Sequence, residues 1–236
     1  MIFRKIKQLL LNDDTVKLYF YPMRKKMIIF LMFCGLLTTG CKQEKRYHTT
    51  VSNSVDSQAI SQIVEFQNKQ NELFKNPETS PLKNKDQKTF KGLDFFPADT
   101  NYIVTALLKR KLDTEPFLMT TTTDRKTLQV VYGVVHFELN DVSHKLEVYK
   151  SMDPMDKVGI NRLFLPFFDE TNGTETYGGG RYIDLEIPRG DTLIIDFNRA
   201  YNPYCVYNKK YSCPIVPRQN YLKTTIRAGV KNFESN

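Results

Sequence analysis

The stretch "TLQVVYGVVHFELNDVSHKLEVYK", residues 127–150, decides the fold. Two β-rich runs flank Asn140-Asp141, and these two residue types suit the tight loop of a β-hairpin because both tolerate positive φ. With that loop, the period of two sorts the side chains onto two faces. One face carries Val135, Phe137, Leu139, Val142, His144 and Leu146, and the other carries His136, Glu138 and Lys145. The stretch therefore predicts a hairpin with one face in a core and one in water.

The same register separates the histidines of the hairpin. His136 and His144 fall on opposite faces of the sheet, so we do not expect them to act as a pair. His144 lies among apolar residues and is interpreted as a core histidine rather than a ligand. The remaining histidine, His48, falls in a polar segment near the N-terminus.

Six further β-rich runs surround this hairpin, and each is bounded by Asp, Asn, Gly or Pro. They are residues 101–109, 116–123, 162–168, 181–187, 191–197 and 222–228. The 16 Phe and 13 Tyr residues predict a core of aromatic and β-branched side chains. We expect an all-β domain over residues 56–236, a mainly antiparallel sandwich or barrel-like sheet with one N-terminal amphipathic helix.

That helix is predicted over residues 56–76. Ile60, Ile63, Val64 and Phe74 recur at helical spacing, Ser54 or Asp56 can cap the start, and Pro77 ends the run. We interpret the apolar stripe as a face that packs on the domain rather than a surface for a partner. The polar residues 42–55 before the helix are predicted to form a flexible tether.

The first 41 residues have the pattern of an export leader. Arg24, Lys25 and Lys26 precede the apolar residues 27–37, a run too short to span a bilayer. The following "TTGC" resembles the bacterial lipoprotein box, which implies acylation of Cys41 and a lipid anchor in the cell envelope. An ordinary signal peptide is the alternative. The leader would make sense with a start at Met23, so residues 1–22 are interpreted as a mis-assigned start or as an unusually long basic region of the leader.

The charge of the chain is concentrated in this leader. The first 41 residues contain seven Lys or Arg and two Asp, so about +3 of the net charge of +8 remains on the rest. Nucleic-acid binding needs cations clustered along one face, and so modest a charge argues against it. We expect a monomer without a cofactor, held at the membrane by its lipid.

Residues 169–182, "DETNGTETYGGGRY", form the first dense polar segment. Asn172-Gly173 predicts a type I′ turn, and the following three glycines require either mobility or close backbone approach. The glycine run could form a phosphate-binding loop, but its spacing does not match the known phosphate-loop motifs. A calcium loop could use oxygens of Asp169, Thr171 and Glu175, but their spacing matches an EF-hand loop poorly.

Residues 196–220 form a second, irregular segment, and long structured loops of this kind tend to carry function. If the two segments converge, they form a polar pocket with aromatic walls that suits a sugar, a carboxylate or an envelope polymer. The alternatives are a buried Arg-carboxylate network, a hydrolase using Asp169 or Glu175 with Asp196, and a structural protein that docks a partner. The candidate ligand-binding residues are Asp169, Thr171, Asn172, Glu175, Tyr177, Arg181, Tyr182, Asp196, Asn198, Tyr201 and Asn202.

Cys205 and Cys213 lie eight residues apart in the second segment. In an exported chain this spacing favours a disulfide that closes a short loop. A nucleophilic thiol or a zinc site is less favoured, because neither segment contains a histidine and the CxxC spacing is absent.

Long strings of the chain resemble the domain of unknown function family numbered 1684. They are "FKGLDFFPADTNYIV", "PFFDETNGTETYGGGRYIDL", "LIIDFNRAYNPYCVYN", "CPIVPRQNYL" and "IRAGVK", in that order, and the resemblance covers about residues 60–232. By this resemblance, thirteen residues fall on the family's signature strings, namely Asp169, Thr171, Gly173, Thr176, Tyr177, Gly180, Arg181, Tyr182, Asp196, Asn198, Tyr201, Asn202 and Pro203. The resemblance implies no activity, because none is established for the family.

Overall fold

A computed structural model describes residues 47–157 and 159–234, with side chains described from Asp56 onward. The leader, Cys41 and the first part of the predicted tether lie outside these residues. Two helices come first, α1 at Tyr47–Lys75 and α2 at Asn84–Thr89. Seven strands follow, and they are β1 at Ile103–Arg110, β2 at Phe117–Thr120, β3 at Lys126–Leu139, β4 at Val142–Ser151, β5 at Arg162–Phe167, β6 at Arg181–Glu186 and β7 at Thr192–Asp196.

All seven strands belong to one antiparallel sheet. The order is β6-β5-β4-β3-β1-β7, and β2 pairs with the first part of β3. The sheet curls into a half-barrel, and Tyr201, beyond β7, exchanges two backbone hydrogen bonds of 2.9 Å with Tyr182 on β6. This pairing joins the two ends of the strand order. The predicted all-β class with an N-terminal helix is confirmed.

The β3–β4 hairpin has the predicted register. Asn140 and Asp141 both have positive φ, and Phe137 lies opposite His144. Phe137 and Leu146 are buried, but Val142 beside the turn is 54% exposed, so the core face ends before the loop. His144 is half-buried, with its ring 5.6 Å from that of Phe137.

Helix α1 begins at Tyr47, before the predicted start at Asp56, so the second part of the predicted tether is helical. Ile63 and Phe74 are buried, whereas Val64 is 43% exposed and was wrongly placed in the packing stripe. Phe74 makes an edge-to-face contact with Tyr207 at 4.7 Å. Burying a side chain of this size contributes about 1.5–3 kcal/mol, so the helix is held on its own domain. No described helix is long and apolar enough to span a bilayer.

Residues 222–228 do not form the predicted strand. Leu222, Ile226 and Ala228 are nevertheless buried in the core. The segment follows β-like alternation, but the carbonyl groups of Ile226 and Ala228 accept hydrogen bonds from the Arg181 side chain instead of a neighbouring strand. At Ile226 and Ala228 a buried arginine therefore replaces a neighbouring strand, whereas Leu222 and Thr224 bond the backbone of Phe168 and Glu170.

Candidate functional site

Residues 168–180 connect β5 to β6 and are fixed by a buried ion pair. The guanidinium of Arg181 lies 2.9 Å from a carboxylate oxygen of Asp169, and both side chains are fully buried. Arg181 also donates to the backbone carbonyls of Ile226, Ala228 and Val230. Burial lowers the pKa of Arg181, and the charge of Asp169 opposes this shift. The pair thus ties the β5–β6 loop to the C-terminal segment.

The other oxygen of Asp169 is equally occupied. It accepts hydrogen bonds from the backbone and side chain of Thr171 and from the backbone of Ile226. The Asn172 side chain accepts from the Asp169 backbone and donates to Thr176. Four of the predicted ligands, Asp169, Thr171, Asn172 and Arg181, therefore make their hydrogen bonds inside the protein, and among their buried polar atoms Nε of Arg181 is left without a partner in the described residues.

The type I′ turn predicted at Asn172-Gly173 is not formed, because only Gly173 of the two has positive φ. Close approach of the backbone to its neighbours explains two of the three glycines in the run, Gly179 and Gly180. A Cβ at Gly179 would lie 2.3 Å from the Tyr177 ring, and Gly180 has a φ of +86° with the carbonyl of Phe167 2.7 Å from its Cβ position. The described residues contain no group of three His, Cys, Asp or Glu side chains that could hold a metal ion.

Asp196 and Asn198 form a second internal network after β7. The Asp196 carboxylate accepts from the backbone and side chain of Asn198, and the Asn198 amide pairs with the backbone of Asp99. Glu175 makes an exposed ion pair with Arg227 at 3.0 Å. The three carboxylates of the hydrolase hypothesis, Asp169, Glu175 and Asp196, line none of the three large cavities described below.

The predicted disulfide is not present. Cys205 and Cys213 are free thiols, and the backbone N–H of Cys205 donates to the sulfur of Cys213 at 3.1 Å. Burial raises the pKa of the Cys213 thiol to about 12, which disfavours a thiolate. Burial raises the pKa of the half-buried Tyr177 hydroxyl, and the two nearby thiol groups raise it further.

Three other predicted residues, Tyr182, Tyr201 and Asn202, line a cavity of about 560 Å³, which we call the tyrosine cavity. Its floor is the outward face of β5 and β6, and its walls come from α1 and from residues 199–214. The lining residues that the sequence did not single out include Phe66, Arg162, Asp184, Glu186, Arg199, Tyr204, Tyr207 and Tyr211. Alternation along β5 and β6 was the available signal, since Arg162, Asp184 and Glu186 occupy outward positions.

A hydrogen bond of 3.1 Å from the Tyr201 hydroxyl to the Asp184 carboxylate lies in this cavity. Asp184 is in contact with solvent, but the neighbouring groups of the cavity partly desolvate its carboxylate, and this partial burial raises its pKa. Burial also raises the pKa of Tyr201 well above its ordinary value, so its hydroxyl stays protonated. The ring of Tyr201 meets that of Tyr182 edge to face at 5.8 Å. The cavity thus holds a fixed polar pair between aromatic rings.

A larger groove of about 800 Å³ lies where β1 and β3 separate, beyond the last paired residues, Leu107 and His136. His136, Glu138 and His144 line it. His136 lies opposite Lys145, and His144 lies opposite Phe137, which is the register predicted from a hairpin loop at Asn140-Asp141. None of the predicted ligand-binding residues lines this groove, so the tyrosine cavity is the better candidate site.

Comparisons with known proteins identify relatives but no activity. The model of the family described as "Protein of unknown function (DUF1684)" matches residues 88–231. An uncharacterized protein of Haloarcula marismortui, solved by solution NMR, is 30% identical with a TM-score of 0.58. The match covers 76% of this chain and 96% of that one. No curated protein matches the chain significantly.

Proposed function

We propose that this chain, which belongs to the DUF1684 family of proteins of unknown function, binds a small neutral polar ligand of the sugar class in the tyrosine cavity. The observation that carries the proposal is the Tyr201–Asp184 hydrogen bond, held in a concave site between aromatic rings. A volume of about 560 Å³ lies within the range of roughly 300–1,000 Å³ that is typical of small-molecule sites.

The charges of the cavity favour a neutral ligand. Arg162 and Arg199 are balanced by Asp184 and Glu186. Among the described residues, none of these four takes part in an ion pair. Asp184 accepts the Tyr201 hydroxyl at one carboxylate oxygen, so its other oxygen and the other three side chains remain available to hydrogen-bond a ligand. A phosphate or a polyanion would meet two carboxylates, which argues against it. Hydroxyl groups can donate to Asp184 and accept from Arg162 without adding net charge.

The aromatic walls suit a ring that is polar at its edge and apolar on its faces. Five tyrosines line the cavity, and Tyr204 is 37% exposed, so its ring is accessible. Tyr204 is held edge to face by Tyr211 at 5.4 Å and by Phe74 at 6.3 Å. Because these rings are fixed before binding, stacking a sugar ring on them costs little side-chain entropy.

The test is a panel of neutral sugars, N-acetylated sugars and uronic acids, measured by thermal shift and then calorimetry. At about 100 times its dissociation constant a ligand stabilises the folded state by about 2.7 kcal/mol, which gives a clear rise in Tm. We expect neutral sugars to stabilise the protein and Tyr201→Phe to reduce their affinity. Tyr221→Phe is the matched control, since the Tyr221 hydroxyl also bonds a carboxylate, that of Glu170, outside the cavity.

Two results would contradict the proposal. The first is a panel in which no sugar stabilises the wild-type protein. The second is a ligand whose affinity falls equally in Tyr201→Phe and Tyr221→Phe, because that would place binding outside the tyrosine cavity.

We also propose that the protein is tethered to a bacterial envelope membrane through a lipid on Cys41. The support is the leader sequence alone, with its basic residues, short apolar run and "TTGC". Cys41→Ser should abolish incorporation of labelled palmitate and move the protein from the membrane to the soluble fraction. Cys34→Ser, within the leader, should leave both unchanged.

A further inference from the structure

The tyrosine cavity does not end at Asp184 and Tyr201. A second cavity of about 540 Å³, here called the polar cavity, adjoins it. The two cavities share five lining residues, Arg162, Phe164, Asp184, Tyr201 and Pro214. The two cavities are therefore adjacent, with the Tyr201–Asp184 pair at their common border, and we infer that together they form one elongated cleft.

The strand register makes this cleft a continuous surface across the sheet. Val131 lies opposite Tyr149, Tyr149 opposite Phe164, and Phe164 opposite Asp184. Directly opposite residues point to the same face, so this row crosses β3, β4, β5 and β6 on one side of the sheet. Gln129 and Ser151 are opposite each other, two residues along β3 and β4 from that row, and so lie on the same face. Both line the polar cavity.

Two residues that line the polar cavity, Gln129 and Thr127, each have a buried side-chain oxygen that the rest of the described protein leaves without a hydrogen bond. Gln129 is only 5% exposed, and its Oε1 has no hydrogen-bond partner among the described residues. The same holds for Oγ1 of the neighbouring Thr127. A buried polar atom without a partner is unfavourable, and hydrogen-bond donors on a ligand would relieve that cost. Oε1 of Gln129 can only accept, so the complementary ligand carries hydroxyl or amide donors at this end.

We propose that the polar cavity is a second sugar subsite, so that the cleft binds an oligosaccharide of two or more rings rather than a single sugar. This inference rests on the proposed sugar site in the tyrosine cavity. One ring lies between the tyrosines, the Tyr201–Asp184 pair contacts the middle of the chain, and a second ring donates to Gln129 and Thr127. The charges of the lining nearly balance here too, since Arg125 and Arg162 are accompanied by Asp153, Asp156 and Asp184.

The test is calorimetry of the full chain against matched series of one to five rings, namely cello-oligosaccharides, malto-oligosaccharides and N-acetylglucosamine oligomers. In one series the affinity should rise at least tenfold from one ring to two or three and then level off when the cleft is full. Gln129→Leu, of similar size, should remove this gain with length and leave the affinity for one ring unchanged. Thr127→Val serves as a second variant that keeps the shape of the side chain and should give the same pattern.

Gln219→Leu is the matched control, because Gln219 is exposed and lines neither cavity. It should keep the full gain with length. Single sugars that bind as tightly as longer ones would overturn the second subsite while leaving the proposed function intact. A gain with length that persists in both Gln129→Leu and Thr127→Val would do the same. Failure of every series, single sugars included, would overturn the proposed function and this inference together.

Discussion

Arg181 and Arg227 each pair with a carboxylate from the β5–β6 loop, but their surroundings differ. Arg181 is fully buried with Asp169 and holds three backbone carbonyls. Arg227 meets Glu175 in solvent, with its side chain 59% exposed. Solvent screens an exposed pair, whereas loss of one partner in the interior strands a charge. The two arginines thus form a natural comparison.

Arg181→Met should destabilise the protein by about 3–5 kcal/mol, because Asp169 would stay buried without a counter-charge. Arg227→Met, the control, should cost less than about 1 kcal/mol. Urea denaturation followed by circular dichroism measures both. A loss below about 1 kcal/mol for Arg181→Met would show that the buried pair is not what holds the loop on the C-terminal segment.

The residue types alone could not separate these roles. An arginine, two aspartates and several asparagines form either a ligand site or an internal network, because both use the same hydrogen bonds. What decides between them is burial, and the burial of Arg181 depends on Ile226 and Ala228, far along the chain. The sequence identified residues that matter to the structure, but it could not say whether they face a ligand.

Among the elements, those specified by local sequence were predicted well. The β3–β4 hairpin follows from the turn residues Asn140-Asp141 and from the alternation of apolar and polar residues on both sides. Both signals come from residues that are close together in the sequence. Asn172-Gly173 has an equally strong turn signal, but there the Asn172 side chain bonds within the β5–β6 loop and Asn172 does not adopt positive φ. Residues 222–228 alternate like a strand, yet at Ile226 and Ala228 the Arg181 side chain takes the place of a neighbouring strand.

The glycines of the β5–β6 loop give a prediction at this scale. Gly180 has positive φ, and its Cβ position lies 2.7 Å from the carbonyl of Phe167, whereas a Cβ at Gly178 meets nothing closer than 3.6 Å. Gly180→Ala should therefore cost at least about 1–3 kcal/mol, and Gly178→Ala should stay within about 0.5 kcal/mol of wild type. Thermal unfolding of the two variants tests this. Equal stabilities would mean that the glycine run serves mobility rather than close backbone approach.

At the scale of the whole molecule, the cleft assembles parts that the sequence keeps apart. Phe66 comes from α1, Arg162 from β5, Asp184 from β6 and Tyr211 from the segment after β7. Arg199 of the last segment lies over the Phe66 ring at 5.1 Å, which connects the helix to this wall. Hydrophobic periodicity predicts each element but not their arrangement, so only Tyr182, Tyr201 and Asn202 of the predicted set were found to line the cavity.

Such a cleft should reduce stability, and Asp184 is where that cost can be measured. Partial burial raises the pKa of Asp184, although the Tyr201 hydrogen bond and the charge of Arg162 oppose the shift. A folded-state pKa above the unfolded value means that the folded protein binds the proton more tightly. Stability then falls as pH rises from the unfolded value of about 4 through the raised folded value, and the loss persists at neutral pH.

Asp184→Asn should therefore raise Tm at neutral pH while it weakens sugar binding, because the amide carries no charge to desolvate but is a poorer acceptor. The difference in Tm should shrink towards zero below about pH 4, where the wild-type carboxyl is protonated in both states. Calorimetric scans across the pH range measure it, and Asp124→Asn, an exposed site outside both cavities, should show no such trend. A lower Tm for Asp184→Asn at neutral pH would mean that the charge of Asp184 stabilises the fold. The carboxylate would then have a structural role, and its presence would no longer support a binding role.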